Sequence, residues 1–276
     1  MASRRHHRPP LPRKDHRMRP SFLKLNAPYL AAIVIEPTPE LTIANILNGE
    51  HEGAEAFMVD IAAWNPDCLT KETLTRLFHC CGRPMMPLCY RSRNLGADKV
   101  SDDDRAELMI RCIDAGAAAC DIMGDLFAPA PHELTRDQKA IDKQKKLVDR
   151  MHALGAEVLM SSHIYNEYVP GDAVLEHMLE IQNRGVDIAK IVVSANTDDE
   201  LIEAFRTTVL LKKSLKVPFV HLCNGKFARI QRYMAPVLGA ALTFGFREYT
   251  AHATGPQPII RNARAVLDEL SWHQDY

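Results

Sequence analysis

Lys190 stands in the middle of Asp187-Ile188-Ala189-Lys190-Ile191-Val192-Val193, a β-branched, apolar run behind Gly185. Such a run predicts a strand covered on both faces. An ammonium stripped of water there costs roughly several kcal/mol, and the lysine has two ways out. It can reach solvent or a buried carboxylate from the strand's end, which on this strand alone is the commoner outcome. Or it can lose its proton and become an amine nucleophile toward carbonyls, the form that makes Schiff bases. One strand earlier, Glu157-Val158-Leu159-Met160-Ser161-Ser162-His163 is a second apolar run that ends in an ionisable residue. A right-handed crossover through a helix over residues 172–184 makes the two strands parallel neighbours. Imidazole and amine then point into the same space, an acid–base group beside a nucleophile.

The elements that must position this pair repeat along the chain. Apolar strands are predicted over residues 30–35, 56–61, 84–90, 117–122, 157–163, 187–193, 217–223 and 239–245. Helices are predicted over residues 41–47, through Leu69, Leu74, Leu77 and Phe78, from Ser101 to Gly116, from Thr135 to Leu154, over 172–184, from the capping box Thr197-Asp198-Asp199-Glu200, and over 259–270. Eight strands alternating with helices at intervals of about 30 residues predict a single (β/α)8 barrel, an α/β fold. An open doubly wound sheet is the alternative, but no glycine-rich phosphate loop follows the first strand.

Composition narrows the function. The 276 residues, 46% hydrophobic and 25% charged with a formal charge of −1, suit a soluble globular enzyme and argue against a nucleic-acid or membrane surface. Seven cysteines without a regular framework read as reduced core thiols, which points to the cytoplasm. Residues 1–27 are expected to form a disordered basic arm, with Arg4, Arg5, Arg8, Arg13, Lys14, Arg17 and Arg19 against Asp15 alone. Residues 28–276 are expected to form the barrel domain.

Barrel chemistry lies at the carboxyl ends of the strands. The polar residues predicted there are Asp60, Arg91, Asp121, His163, Lys190, His221 and Arg229, with Gln257 after the eighth strand. Each has a bland reading: Asp121 as a loop cap, Arg91 as a surface pair, His221 as a satisfied core histidine. Convergence of all eight on one mouth favours a site.

These residues resemble the type I 3-dehydroquinate dehydratases over nearly everything from Tyr29 to Leu270. Asp187-Ile188-Ala189-Lys190-Ile191 resembles that family's Schiff-base strand, and Ser162-His163-Ile164-Tyr165 with Pro170 its histidine segment. Pro87-Leu88-Cys89-Tyr90-Arg91 resembles its substrate-binding arginine strand. Gly225-Lys226-Phe227-Ala228-Arg229 is similar to its Gly-Lys-x-Ser-Arg, and Thr254-Gly255-Pro256-Gln257 to its Ala-Pro-Gly-Gln. The resemblance implies that Lys190 condenses with a ring ketone and that His163 moves the α proton and protonates the departing hydroxyl. Asp60, Arg91, Arg229 and Gln257 would bind substrate, with Arg229 on its carboxylate. Asp121, Asp125, Tyr165 and His221 are further candidates. The resemblance implies no cofactor, no metal, a small keto-acid substrate, a homodimer, and a place in the shikimate pathway of aromatic amino acid biosynthesis.

The departures are equally specific. The family's Glu-x-Arg on the second strand is Asp60-Ile61-Ala62 here, and its Asp-x-Glu on the fourth is Asp121-Ile122-Met123. That glutamate orients the histidine; methionine cannot accept its hydrogen bond, and Asp125 is the candidate substitute. Either the chain is a divergent dehydratase or the same lysine chemistry serves another keto acid. Two other classes stand beside this: a metal-dependent barrel enzyme using Asp60, Asp121, His163 and His221, and a binding protein on a retired barrel.

Overall fold

The computed structural model describes residues 19–62, 64–91, 100–251, 253 and 255–270. Among these, eight parallel strands alternate with helices. The strands are β1 (Tyr29–Val34), β2 (Ala56–Asp60), β3 (Met85–Leu88), β4 (Ala119–Met123), β5 (Glu157–His163), β6 (Ile188–Ser194), β7 (Phe219–Asn224) and β8 (Leu242–Gly245). The helices are α1 (Pro39–His51), α2 (Lys71–Phe78), α3 (Asp102–Asp114), α4 (Gln138–Ala153), α5 (Gly171–Gln182), α6 (Asp198–Ser214), α7 (Ala228–Val237) and α8 (Ile260–Leu270). All positions of β1, β2, β4 and β6 are buried, because helices cover one side and the barrel interior the other. That is why these strands read as continuous apolar runs rather than alternating ones.

Two four-stranded ladders make the barrel, ordered β3-β2-β1-β8 and β4-β5-β6-β7. At the seams, Ala118 N donates to Met85 O and Ala241 N to Phe219 O, each at 2.9 Å. Both contacts lie at the amino ends of the strands. The wall is thus two sheets bridged at the base rather than one unbroken ladder.

Local signals set most helix starts. Thr38, Thr70, Ser101 and Thr197 accept from backbone N–H groups in the first turns of α1, α2, α3 and α6, and the Thr197–Glu200 capping box is formed. The start of α4 is the exception. Asp137, not Thr135, caps it by accepting from Ala140 N, while Thr135 Oγ1 accepts from Asp137 N at 3.1 Å. α7 is not among the expected helices; it forms over Ala228–Val237 with Pro236 next to its last residue. Gly185, at φ 85°, takes the left-handed turn between α5 and β6 that delivers Lys190.

The barrel's packing begins before residue 28. Phe22 is 1% exposed, its backbone N–H donates to Glu157 Oε2 at 2.8 Å, and Ser21 Oγ donates to Oε1 of the same carboxylate. Arg19 donates to the carbonyls of Ala117 and Ile113. Residues 19–27, assigned to the arm from charge, are therefore docked: one aromatic anchor and one buried-side carboxylate outweigh a basic composition. The expectation for residues 1–18 lies outside the described residues, as do those for Thr254 and for the last six residues.

Candidate active site

Lys190 lies in the middle of β6 and is 4% exposed. Its Nζ donates to Tyr90 Oη at 3.0 Å and to Asp121 Oδ2 at 3.2 Å. Its ammonium also lies 5.4 Å from the ring centroids of both Tyr90 and Phe244. These neighbours follow β3 or belong to β4 and β8, which meet only inside the barrel. Asp121 is fully buried and is held on both oxygens: the Tyr90 hydroxyl donates to Oδ2 and Ser161 Oγ to Oδ1 at 2.6 Å. Of the lysine's two ways out, the buried carboxylate is the one taken at rest. An ion pair this enclosed is tolerated because every partner is also hydrogen-bonded.

His163 ends β5, the strand beside β6, and lies two residues beyond Ser161, which pairs in register with Lys190. Its imidazole is enclosed by two phenols. Tyr90 meets it edge-on with centroids 5.1 Å apart, and Tyr165 stacks on it at 5.4 Å. Nδ1 of His163 is 2.7 Å from Glu133 Oε2, in a short 3-10 turn (Pro131–Glu133) after β4. Tyr90 therefore touches both halves of the predicted pair, the amine through its hydroxyl and the imidazole through its ring.

A second polar group stands beyond β7 and β8. The exposed Arg229 donates to Tyr249 Oη at 2.9 Å and lies 5.8 Å from its ring, and the Tyr249 hydroxyl donates to Gln257 O at 2.9 Å. Gln257 Oε1 accepts from the buried Arg232 at 2.8 Å. Arg229 and Gln257 are thus brought together, through Tyr249.

Other candidates fall elsewhere. Arg91 spans the carboxylates of Asp102 and Asp125, with N···O distances from 2.9 to 3.2 Å, and also donates to Asp125 O. Most of its five donors are committed to holding the β3 end against the β4 loop. Asp125 receives that arginine and Ala130 N, so it does not replace the lost glutamate beside His163. Asp60, 3% exposed at the end of β2, accepts from Ala62 N at 3.1 Å. His221 points away from the mouth. In register with Ile191 rather than Lys190, it faces α6, where Thr208 Oγ1 is 2.9 Å from Nδ1. Burial pushes its pKa down to about 4. With His221 outside the barrel, the candidate metal set Asp60, Asp121, His163 and His221 does not converge; among the described residues no His, Cys, Asp and Glu side chains gather as a ligand group.

Three site residues escaped sequence reasoning. Tyr90 and Ser161 were legible in principle: strand alternation puts them on the faces of Leu88 and His163, inside the barrel. Glu133 carried no local signal.

A family model described as type I 3-dehydroquinase matches residues 34–273. A 3-dehydroquinate dehydratase of Alkaliphilus oremlandii is 31% identical over 111 residues, covering 40% of this chain and 44% of that protein. One from Klebsiella pneumoniae is 28% identical over 141 residues, covering 50% of this chain and 54% of that protein. The chain thus spans about half the length of these curated relatives. In fold, the crystal structure of 3-dehydroquinate dehydratase from Geobacillus kaustophilus superposes with a TM-score of 0.75, at 15% identity, over 90% of this chain and 93% of that one.

Proposed function

The chain belongs to the type I 3-dehydroquinase family, and we propose that it is a dehydratase that removes water from 3-dehydroquinate, or a closely related cyclic keto acid, through a Schiff base on Lys190. The observation that carries this reading is the enclosed amine of Lys190 sharing Tyr90 with the imidazole of His163. Lys190 must shed a proton before it attacks. Asp121, 3.2 Å from Nζ, can take it directly, and the Tyr90 hydroxyl bridges the same two groups. Attack on the ring ketone and loss of water give an iminium, which accepts the electron pair left when the neighbouring C–H is broken. His163 takes that proton and returns it to the hydroxyl that leaves from the next carbon. Water then hydrolyses the conjugated iminium, releasing the unsaturated ketone and the amine. Imidazole suits both transfers because its ordinary pKa lies near neutrality.

The carboxylate of such a substrate fits Arg229, which is exposed and held at an angle by Tyr249. Arg91 is committed to Asp102 and Asp125 and serves the site by fixing the loop. Ala62 stands where the resemblance expects a second arginine, so a cyclic keto acid with fewer polar contacts on the β2 side is the substrate variant to compare.

Borohydride reduction of the full chain with 3-dehydroquinate, followed by intact mass and peptide mapping, tests the reading. The expected result is one adduct, on Lys190, with Lys190→Ala and Lys190→Arg both inactive. His163→Ala should still form the adduct while turnover falls by about 100-fold or more. Dehydratase activity that survives in Lys190→Ala, or an adduct on another residue, would overturn it.

A further inference from the structure

We propose that Glu133 is the positioning residue of this active site, fixing the tautomer and rotation of His163 from a loop. The inference rests on the dehydratase reading for its kinetic consequence, but not for its geometry. Two phenols hold the plane of the His163 ring and leave undetermined which way it is flipped about its Cβ–Cγ bond. The Glu133 contact at Nδ1, 2.7 Å, determines it. A carboxylate only accepts, so Nδ1 carries the hydrogen, and in the neutral imidazole Nε2 then carries the lone pair that moves protons.

The chain is built around this contact. The inner-face position of β4 that could have supplied a carboxylate is Met123, and Gly124 follows it. A Cβ at Gly124 would lie 2.5 Å from the Glu133 carbonyl oxygen and 2.9 Å from Ser162 Oγ, so only glycine lets the turn approach β4. Ser162 Oγ donates to that same carbonyl at 2.8 Å. His132 and Glu133 both have left-handed backbones, at φ 59° and 49°, which non-glycine residues hold only when their surroundings require it. The requirement comes from two sides. Above, His132 is paired with Glu167 of the loop after β5. Below, the buried Arg184 donates to Gly124 O and Thr135 O, both at 2.6 Å, and Gln144 donates to Gly124 O at 3.0 Å. A turn anchored at both ends and strained in the middle presents one carboxylate to one imidazole nitrogen.

The test uses the full chain with ¹⁵N-labelled histidine. Nitrogen–proton correlation spectra should give an Nδ1–H signature for His163, assigned by its loss in His163→Ala. Glu133→Ala should lose that signature and keep a melting temperature close to wild type. It should still give the borohydride adduct at Lys190, with kcat lowered by about 10- to 100-fold and KM changed far less. Glu133→Asp, one methylene short, should recover part of kcat; if Glu133→Ala does not fold, Glu133→Met, of similar length and without an acceptor oxygen, takes its place in the same measurements. Retention of the Nδ1–H signature, or wild-type kcat, in the variant overturns the proposal. A wild-type protein that forms no adduct would instead sink the dehydratase reading, and the spectra would still decide the role of Glu133.

Discussion

At the scale of single residues, Tyr90 joins the two chemical groups of the site. Its hydroxyl receives from Lys190 and donates to Asp121, so it offers a relay for a proton between amine and carboxylate beside their direct 3.2 Å contact. Tyr90→Phe keeps the ring that packs on His163 and removes only that route. Rapid-quench trapping with borohydride is expected to show adduct formation slowed by about 10-fold or more. The later proton abstraction by His163 should be little altered. An unchanged rate of adduct formation would leave Asp121 as the sole acceptor for the lysine's proton.

At the scale of elements, the strands deliver chemistry and the loops adjust it. β4, β5 and β6 fix Asp121, Ser161, His163 and Lys190 through their register, which cannot slip by one residue without turning every side chain over. The turn after β4 is free of that constraint and could relocate a carboxylate to Glu133. The left-handed conformations at His132 and Glu133 cost on the order of 1–2 kcal/mol each, a cost borne by the Arg184 and Gln144 hydrogen bonds beneath. The segment before β1 is also an element in its own right. A chain starting at Arg19 retains all the contacts named for it, whereas a chain starting at Pro28 loses the buried Phe22 and leaves Glu157 without Ser21 and the backbone N–H groups. Relative to the Arg19 start, the shorter chain should lose about 3–5 kcal/mol by denaturant unfolding. Equal stability of the two would mean that Phe22 is not an anchor in solution.

At the scale of the whole molecule, stability and pH are linked through a histidine that the site does not use. The Thr208 hydroxyl donates to Ala204 O, so it accepts from Nδ1 of His221, and Nε2 is buried with no hydrogen-bond partner among the described residues. Desolvation holds His221 to about 4, below the usual 6.5 or so of the unfolded chain. Between those values the unfolded state binds the extra proton, so stability rises with pH. The contribution is complete above about pH 6.5 and is lost as pH falls toward 4, on the order of 3 kcal/mol in all. Melting temperature measured from pH 7 to 4 should fall less steeply in His221→Asn than in wild type. Parallel profiles would show that other groups set the acid limit. The wall itself is two sheets whose backbone bridges stand at their amino ends, with side-chain contacts Tyr90–Asp121 and Arg91–Asp125 spanning the β3–β4 seam on the side where the site stands.

Periodicity and chain order determined the larger part of this protein. Eight apolar runs separated by capped helices specify a barrel, because strands buried on both faces must be apolar throughout and each crossover must be right-handed. The same order makes His163 and Lys190 neighbours, since consecutive parallel strands pair. What sequence could not fix is which way a polar residue at a strand end faces and which loop side chain returns to it. His221 and Val220 differ by one position in β7, yet only the register with β6 turns the histidine outward. Arg91 reads as a ligand for substrate, and only the tertiary fold shows that it is also paired with Asp102 and Asp125. Glu133 is 30 residues from His163 along the chain. Contacts of that kind depend on loop paths set by distant packing, here Gly124, Gln144 and Arg184, and such long-range constraints leave no local pattern to read.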